Sequence, residues 1–502
     1  MAAGTPCETL RGSRCGSRDF NGAFRNANMV CARRLTLLLF CLLVSLTGEA
    51  AARMAVGPVE AFQQAREVRD LADIRRVGEL RVLINQSRNS SGEVKDQAIG
   101  VEYVRLRSFE QYLNRDPGKP QIRLRLIPKP KDQLLGALRR GEGDLVAPGE
   151  RMPRGGKQDV VGGRPVVDDV RLLLVGRKGG PAYRSLDQLS GRSIALSAGS
   201  AAGPVLSRIN RDLLARNKAP VVIEWVDPTL AVEDVLEMVQ AGIFPATVVE
   251  ETIARRWAKV MPKLRIDPKI AFGEPDDMNW YTARKAPMLR AGIDRFLKDY
   301  RAPANRDDAF VRVYRRLYKV QAPLDRTGRQ RLDKVSATLQ RHASAHDLDW
   351  LNLAALAFKE STLNPSARGA SGAVGLMQVT PATARSMGVS NVTKLENNVE
   401  ASARYLASIR RKFFSSPRLN ERERMAFVLA AYNMGPQRVQ TLRAEARRRG
   451  LNPDQWFFQV ERVAMEQVGM GVVSYVNSVN KYYQAYARER ILLEAGRRSA
   501  SN

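Results

Sequence analysis

A change of hydrophobic period near residue 330 constrains this 502-residue chain more than any other feature. Before it, short apolar runs alternate with helical patterns. Glu79–Asn85 (ELRVLIN) reads as a buried strand, Val101–Leu113 as a helix and Ile122–Ile127 as an alternating strand. Helix is expected again over Asp132–Arg140 and Val232–Gln240, with a helical turn at Leu186–Leu189. Strands are expected at Asp144–Ala147, Arg171–Val175, Ser193–Leu196 and Val221–Val226. This rhythm predicts a mainly parallel sheet with crossover helices. After residue 330 no strand alternation survives. Helices are expected over 331–346, 349–360, 376–387, 396–413, 420–433, 435–448, 455–467 and 472–488. A chain this long exceeds a single core, so the two patterns read as two domains. Val311–Tyr318 reads as the last helix of the first one. The expected layout is a signal peptide or N-terminal anchor (1–52), a polar leader (53–76), an α/β module (77–320), a linker (321–334), a helical module (335–488) and a basic tail (489–502).

The N-terminus and the charge say where such a chain works. Arg33 and Arg34 precede a mostly apolar run from Leu35 to Gly48, then Ala50–Ala52. That run falls short of the roughly 20 residues of a membrane span and has the layout of an export signal. All four cysteines, Cys7, Cys15, Cys31 and Cys41, precede the expected cut. The exported chain therefore folds without disulfides or thiolate metal sites. Its formal charge is +29 in full, and residues 1–52 carry only three of those net charges. Such basicity points to an anionic partner: a wall polymer, a membrane surface or nucleic acid. No zinc spacing or RNA-binding signature accompanies it, which argues against nucleic acid.

The candidate chemistry lies in LNLAALAFKESTLNPSARGASGAVGLMQVTPATARSMG, Leu351 to Gly388. Leu351, Ala354, Ala355 and Phe358 recur at helical spacing, and Glu360 closes that helix at the edge of apolar surroundings. Partial burial there raises a carboxyl pKa, as a general acid requires. A loop follows, then a second helix expected to begin near Ser371 and to carry Met377 and Gln378. Glu360 is the lone carboxylate between Asp349 and Glu396. Ordinary glycosidases flank the scissile bond with two carboxylates. A single one suits a reaction whose substrate supplies its own nucleophile. His342 and His346 stand four apart, but without a third ligand they read as a helix face rather than a metal pair.

Several motifs in this half share one resemblance. Glu360-Ser361, Asn364-Pro365, Ser371–Gln378 (SGAVGLMQ), Pro381–Ala384, Asn398 with Ala401 and Tyr405-Leu406, Ala430–Gly435 (AAYNMG) and Tyr475-Val476 occur in order. Together they resemble the soluble lytic transglycosylase catalytic domain, an all-α goose-lysozyme-like fold. The resemblance implies that Glu360 protonates the glycosidic oxygen between N-acetylmuramic acid and N-acetylglucosamine. Its carboxylate then takes the proton of the muramic acid C6 hydroxyl, closing a 1,6-anhydro ring with no cofactor. It implies that Tyr432 and Asn433 position the sugar or the Glu360 carboxyl and that Gln378 hydrogen-bonds a sugar. Ser361, Met377 and Tyr475 are expected to line the cleft. The late motif departs from the family's E-T-x-x-Y-V, since Gly471–Ser474 precede Tyr475.

The first half resembles family 3 solute-binding proteins, two α/β lobes around a cleft. The segments GELRV, GVEYV, LLGALRRGEGDLVA and GER carry the likeness. It implies that Arg151 grips a ligand carboxylate, and that Ser197, Gly199 and Ser200 offer free backbone N–H groups ahead of a helix. Glu250 fits the family's later acidic position. Pro148–Arg151 and Asp159–Val161 depart from its usual T-x-E-R and D-F-S. The whole layout is similar to the membrane-bound lytic murein transglycosylase F family. Expected partners are peptidoglycan strands, a muropeptide or amino-acid-like ligand at the first module, and a membrane surface. A water-using muramidase and a non-catalytic wall-binding or solute-binding protein are the competing readings.

Overall fold

The computed structural model describes residues 68–87, 93–94, 97–98, 100–153, 159–304, 306–317, 321–369 and 372–498. The expected export signal and most of the expected polar leader lie outside them.

The first module holds β1 (Glu79–Asn85), β2 (Glu93–Val94), β3 (Gln97–Ala98), β4 (Arg123–Lys129), β5 (Leu145–Ala147) and β6 (Val160–Val170). Then come β7 (Leu172–Arg177), β8 (Ser193–Leu196), β9 (Val222–Trp225), β10 (Ala246–Glu250), β11 (Leu264–Ala271) and β12 (Asp276–Ala283). They form two five-stranded sheets, ordered β4-β1-β5-β12-β6 and β11-β7-β10-β8-β9, beside a small β2-β3 pair. β1 pairs in parallel with β4 and β5, and β8 with β9 and β10. β12 and β7 add antiparallel pairings to their sheets. The sheets are thus mixed, correcting the mainly parallel expectation. β6, β11 and β12 went unread because Gly and Pro interrupt them (GGRP, DPK) or polar residues dilute them. β1 is buried from Leu80 to Asn85 and shows the continuous apolar run of a strand covered on both faces.

The chain passes from the first sheet to the second between β6 and β7, and back between β11 and β12. Two adjacent crossovers therefore join two lobes. Helices α1 (Leu71–Val77), α2 (Val101–Leu113), α3 (Leu134–Arg139), α4 (Ala202–Ala215), α5 (Val232–Ala241), α6 (Glu251–Val260), α7 (Pro287–Asp299) and α8 (Arg306–Leu317) cover the sheets. α1, at the end of the expected leader, packs on the first lobe. Asp70 accepts from the Leu71 and Leu289 amides at 2.8 and 2.7 Å, and Ile74 is fully buried.

The second module is helical, as expected: α9 (Arg326–Ala345), α10 (Trp350–Ser361), α11 (Pro381–Ser386), α12 (Leu395–Phe413), α13 (Glu421–Met434), α14 (Pro436–Arg448), α15 (Glu461–Gln467), α16 (Met470–Arg488) and α17 (Arg490–Arg498). α9 starts before residue 331 because Asp325 caps it, accepting from Gly328 N at 2.7 Å. The basic tail is helical as far as Arg498. The helix expected over 376–387 is confined to Pro381–Ser386. Residues 374–379 turn back through bridges joining Val374 to Arg368 and to Val379. The two modules dock through α16, whose buried Lys481 pairs with Asp234 at 3.2 Å and with Glu237, both on α5. Asn480 donates to Thr229 at 2.8 Å, and Arg488 pairs with Glu224 at 2.7 Å.

The expected helix 455–467 also breaks. Phe458 adopts φ +63°, and the buried Glu423 carboxylate accepts from the Trp456 and Phe457 amides at 2.6 and 3.3 Å. Burial pushes the Glu423 pKa up from 4.5 to about 7. A raised carboxyl pKa means that the folded state holds the proton longer than the unfolded one. Stability therefore falls as pH rises between about 4.5 and 7, by roughly 3 kcal/mol. Glu423→Gln keeps an acceptor for both amides without the charge. Urea unfolding across that window is expected to show a flatter profile for the variant, with the variant the more stable at pH 8.

Candidate active site

α10 is held by burial of Leu351 and of Leu353 through Ala357, and its last turn carries Glu360 to the edge of the core. Asp349 caps its start, accepting from Leu351 N at 3.0 Å. Thr362 and Leu363 end it in left-handed backbone, φ +54° and +60°. The Ser361 hydroxyl then ties the following loop to the helix. It donates to the Leu376 carbonyl at 2.8 Å and accepts from Asn364 N at 3.0 Å. Buried Asn398 on α12 holds the same loop from the far side, accepting from Met377 N at 2.8 Å and donating to Val374 O at 2.9 Å. A side chain at Gly375 could not fit, since its Cβ would fall 2.5 Å from the Asn398 amide.

Tyr475 of α16 donates its hydroxyl to Glu360 Oε1. The Lys359 ammonium stands 5.9 Å from the centre of the Tyr475 ring. Burial raises the Glu360 pKa, while the Tyr475 hydrogen bond and the Lys359 charge pull it down without cancelling the rise. Among the described residues, no second carboxylate acts on Glu360. Burial, with the Glu360 charge next, keeps the Tyr475 phenol far above its ordinary range. The site therefore offers one carboxyl of raised pKa, held by a phenol that stays a donor.

The other expected residues are placed as follows. Tyr432 lies close enough to feel the Glu360 charge, yet its hydroxyl donates to the Met377 carbonyl at 2.9 Å. The hydrogen bond to the carboxyl thus comes from Tyr475, expected only to line the cleft. Asn433 is exposed beside Tyr432 on α13. Gln378 holds left-handed backbone, φ +49°, and its amide donates to the Gly375 and Ala367 carbonyls at 2.9 and 3.3 Å, with its oxygen against Gly369. Met377 is a correction: its side chain is fully buried and fills core instead of lining the cleft. Ser361 likewise works as a loop tie. His342 pairs with Glu396 at 2.9 Å, and no group of three or more metal-ligating side chains occurs among the described residues.

The interlobe cleft of the first module is closed and filled by its own side chains. Buried Lys131 pairs with Glu150 at 2.7 Å and stands 3.7 Å from Glu250. Burial pulls the lysine pKa down, and the two carboxylates more than restore it, so the ammonium stays charged. Ser197 lines the remaining cavity of about 40 Å³, room for a water or so and far below an amino acid. Gly199 packs against the Asp132 backbone, which a Cβ would meet at 2.7 Å. Ser200 hydrogen-bonds Ala202 N at 3.3 Å. Arg151 is a further correction. Its guanidinium donates to Val170 O at 2.8 Å and Glu274 O at 3.4 Å and stands 3.6 Å from Asp276. Those are the two interlobe crossovers, so Arg151 clips the hinge instead of facing a ligand. Burial in such a position is invisible to motif reading.

Comparison with known proteins covers both halves. Residues 338–454 match the family described as Transglycosylase SLT domain. Membrane-bound lytic murein transglycosylase F of Desulfosudis oleivorans is 27% identical over 411 residues, covering 80% of this chain and 86% of that one. The Shewanella halifaxensis protein of the same name is 27% identical over 420 residues, covering 79% and 83%. Among solved structures, an amino acid ABC transporter substrate-binding protein from Streptococcus pneumoniae, bound to L-arginine, matches at 17% identity. It covers 50% of this chain and all of that one, with a TM-score of 0.38. The chain is thus similar to the lytic murein transglycosylase F proteins over most of its length, in line with the motifs.

Two measurements test these geometries. Tyr475→Phe removes the hydrogen bond that favours ionised Glu360, so the Glu360 midpoint is expected to rise by about one to two pH units. Carboxyl-carbon NMR reads that shift directly. Lys131→Met leaves Glu150 and Glu250 buried together without their cation. A loss of roughly 3–5 kcal/mol in urea unfolding at pH 7 is expected.

Proposed function

We propose that this chain is a peptidoglycan lytic transglycosylase with Glu360 as acid and then base. The observation that carries the reading is a half-buried carboxyl of raised pKa, held by Tyr475, with no second carboxylate among the described residues acting on it. The proton on Glu360 goes to the glycosidic oxygen as the bond from muramic acid C1 to that oxygen breaks. The resulting carboxylate accepts the proton of the C6 hydroxyl as O6 bonds to C1, giving the 1,6-anhydro end and restoring the acid. No water is consumed. Tyr475 holds the carboxyl during both transfers, and its hydroxyl supports the transient negative charge. We assign Gln378 and Asn433 to hydrogen-bond the sugars, and Tyr432 fixes the Met377 backbone.

The names of the curated relatives and the matched domain support peptidoglycan as substrate and a wall-facing, membrane-associated location. No helix among the described residues is long and apolar enough to cross a membrane. For the first module, binding an amino acid or muropeptide requires its lobes to part, because the closed cleft has about 40 Å³ to offer. In the closed form we read it as a scaffold docked on α16. Calorimetric heat on titrating the full chain with amino acids or muropeptides would overturn that part alone.

Mass spectrometry of products from purified sacculi tests the chemistry. Anhydro-muropeptides about 18 Da lighter than hydrolysis products are expected, the difference being one water. Glu360→Gln is expected to lower turnover by about 100-fold or more. Hydrated products would favour a muramidase, and undiminished turnover in the variant a non-catalytic role for Glu360.

A further inference from the structure

The helices that carry the site also frame a second cavity at their other end. α10 runs from Asn352 to Glu360, and α16 from Tyr475 to Tyr483, each about 12 Å along its axis. α13 joins them, with Met425 and Leu429 upstream of Tyr432. At the end away from Glu360 these helices enclose about 330 Å³, within the range of small-molecule sites. Met425, Leu429 and Phe457 give it an apolar floor. Asn352 and Gln484 line it, and neither side chain makes a hydrogen bond among the described residues. Their neighbours are engaged: Tyr483 donates to Asp349 at 3.0 Å and Asn480 to Thr229 at 2.8 Å.

Those two amides decide the class of occupant. Each offers a donor and an acceptor, and a purely apolar ligand would strand both. A charged ligand finds no counterion on offer, because Asp227 and Arg422 already pair at 2.7 Å and Glu421 pairs with Arg410 and Arg424 at 3.1 and 3.0 Å. A secondary amide satisfies a primary amide in both directions and can lay an attached methyl or ring face on the apolar floor. Phe457 stands next to Phe458, whose left-handed backbone is uncommon for an aromatic residue and recurs where a fold maintains a functional wall.

We propose that this cavity binds a neutral ligand that carries a secondary amide beside an apolar group. An N-acetylated hexosamine and a peptide share that chemistry. The site is separate from the cleft at Glu360 and stands whether or not Glu360 cleaves glycan.

Hydrogen–deuterium exchange on the full chain tests it, with tri-N-acetylchitotriose and N-acetyl-L-alanine methylamide as separate probes at millimolar concentration. At least one probe is expected to slow exchange about twofold or more in residues 421–430 and 480–487. Slowing by the sugar alone assigns glycan, and slowing by the amide alone assigns peptide. Asn352→Leu and Gln484→Leu are each expected to weaken that binding about fivefold, one hydrogen bond's worth. Gln484 is half-exposed on α16, so its variant keeps the fold, and an unchanged melting temperature checks both. The proposal is overturned if neither probe slows exchange there, if slowing is confined to residues 375–380 and 432–435, or if both folded variants bind as tightly as the parent.

Discussion

The packing of α16 against α10 is the contact on which the rest depends. It brings the Tyr475 hydroxyl to Glu360, and without it the carboxyl would face solvent with an ordinary pKa. The pair meets because both helices present apolar faces to one core, with Val472, Val476 and Val479 of α16 buried beside Leu351 and Phe358 of α10. Helix spacing then fixes which polar residues stand at the margin. Farther along, α16 carries Lys481 to α5 and Tyr483 to Asp349. One helix thereby sets the acid, the docking of the first module and the wall of the second cavity.

In the first module the closed cleft is occupied by the chain's own charges. The module's two sheets and paired crossovers make a hinge around that cleft. Here an internal ammonium, Lys131, sits between Glu150 and Glu250 where a ligand would otherwise enter. Arg151, whose place in the sequence suggests a ligand clamp, ties the two crossovers together instead. Opening such a cleft means exposing or re-pairing three buried charges.

Much of this was legible in the sequence. The strand Ser193–Leu196 and the helix Val101–Leu113 fall where their apolar patterns place them, because each buries one continuous face. Glu360 was legible as a candidate acid from its position after a buried run. Residues 376–379 were misread as helix because Leu376, Met377 and Gln378 are good helix formers. The turn there is imposed from elsewhere, by Asn398 and Ser361 hydrogen-bonding its backbone. Met377 was misread for the same reason, since a turn sends its side chain into the core. Tyr475 was named without its partner, because nothing local says that α16 will meet the end of α10. Long-range contacts decide each of these, and a local pattern does not encode them.

The junction of the modules has an evolutionary consequence. Ala231, at the start of α5, packs in the core of the helical module, and Ala485 of α16 packs in the core of the second lobe. Lys481 lies buried between the two acids of α5. A gene can cut the chain near residue 330, but the folded molecule offers no matching seam. Exchanging either half for a homologue must carry the acids of α5 and the lysine of α16 together, since a mismatched pair would bury a charge alone. The two halves are expected to drift as one lineage.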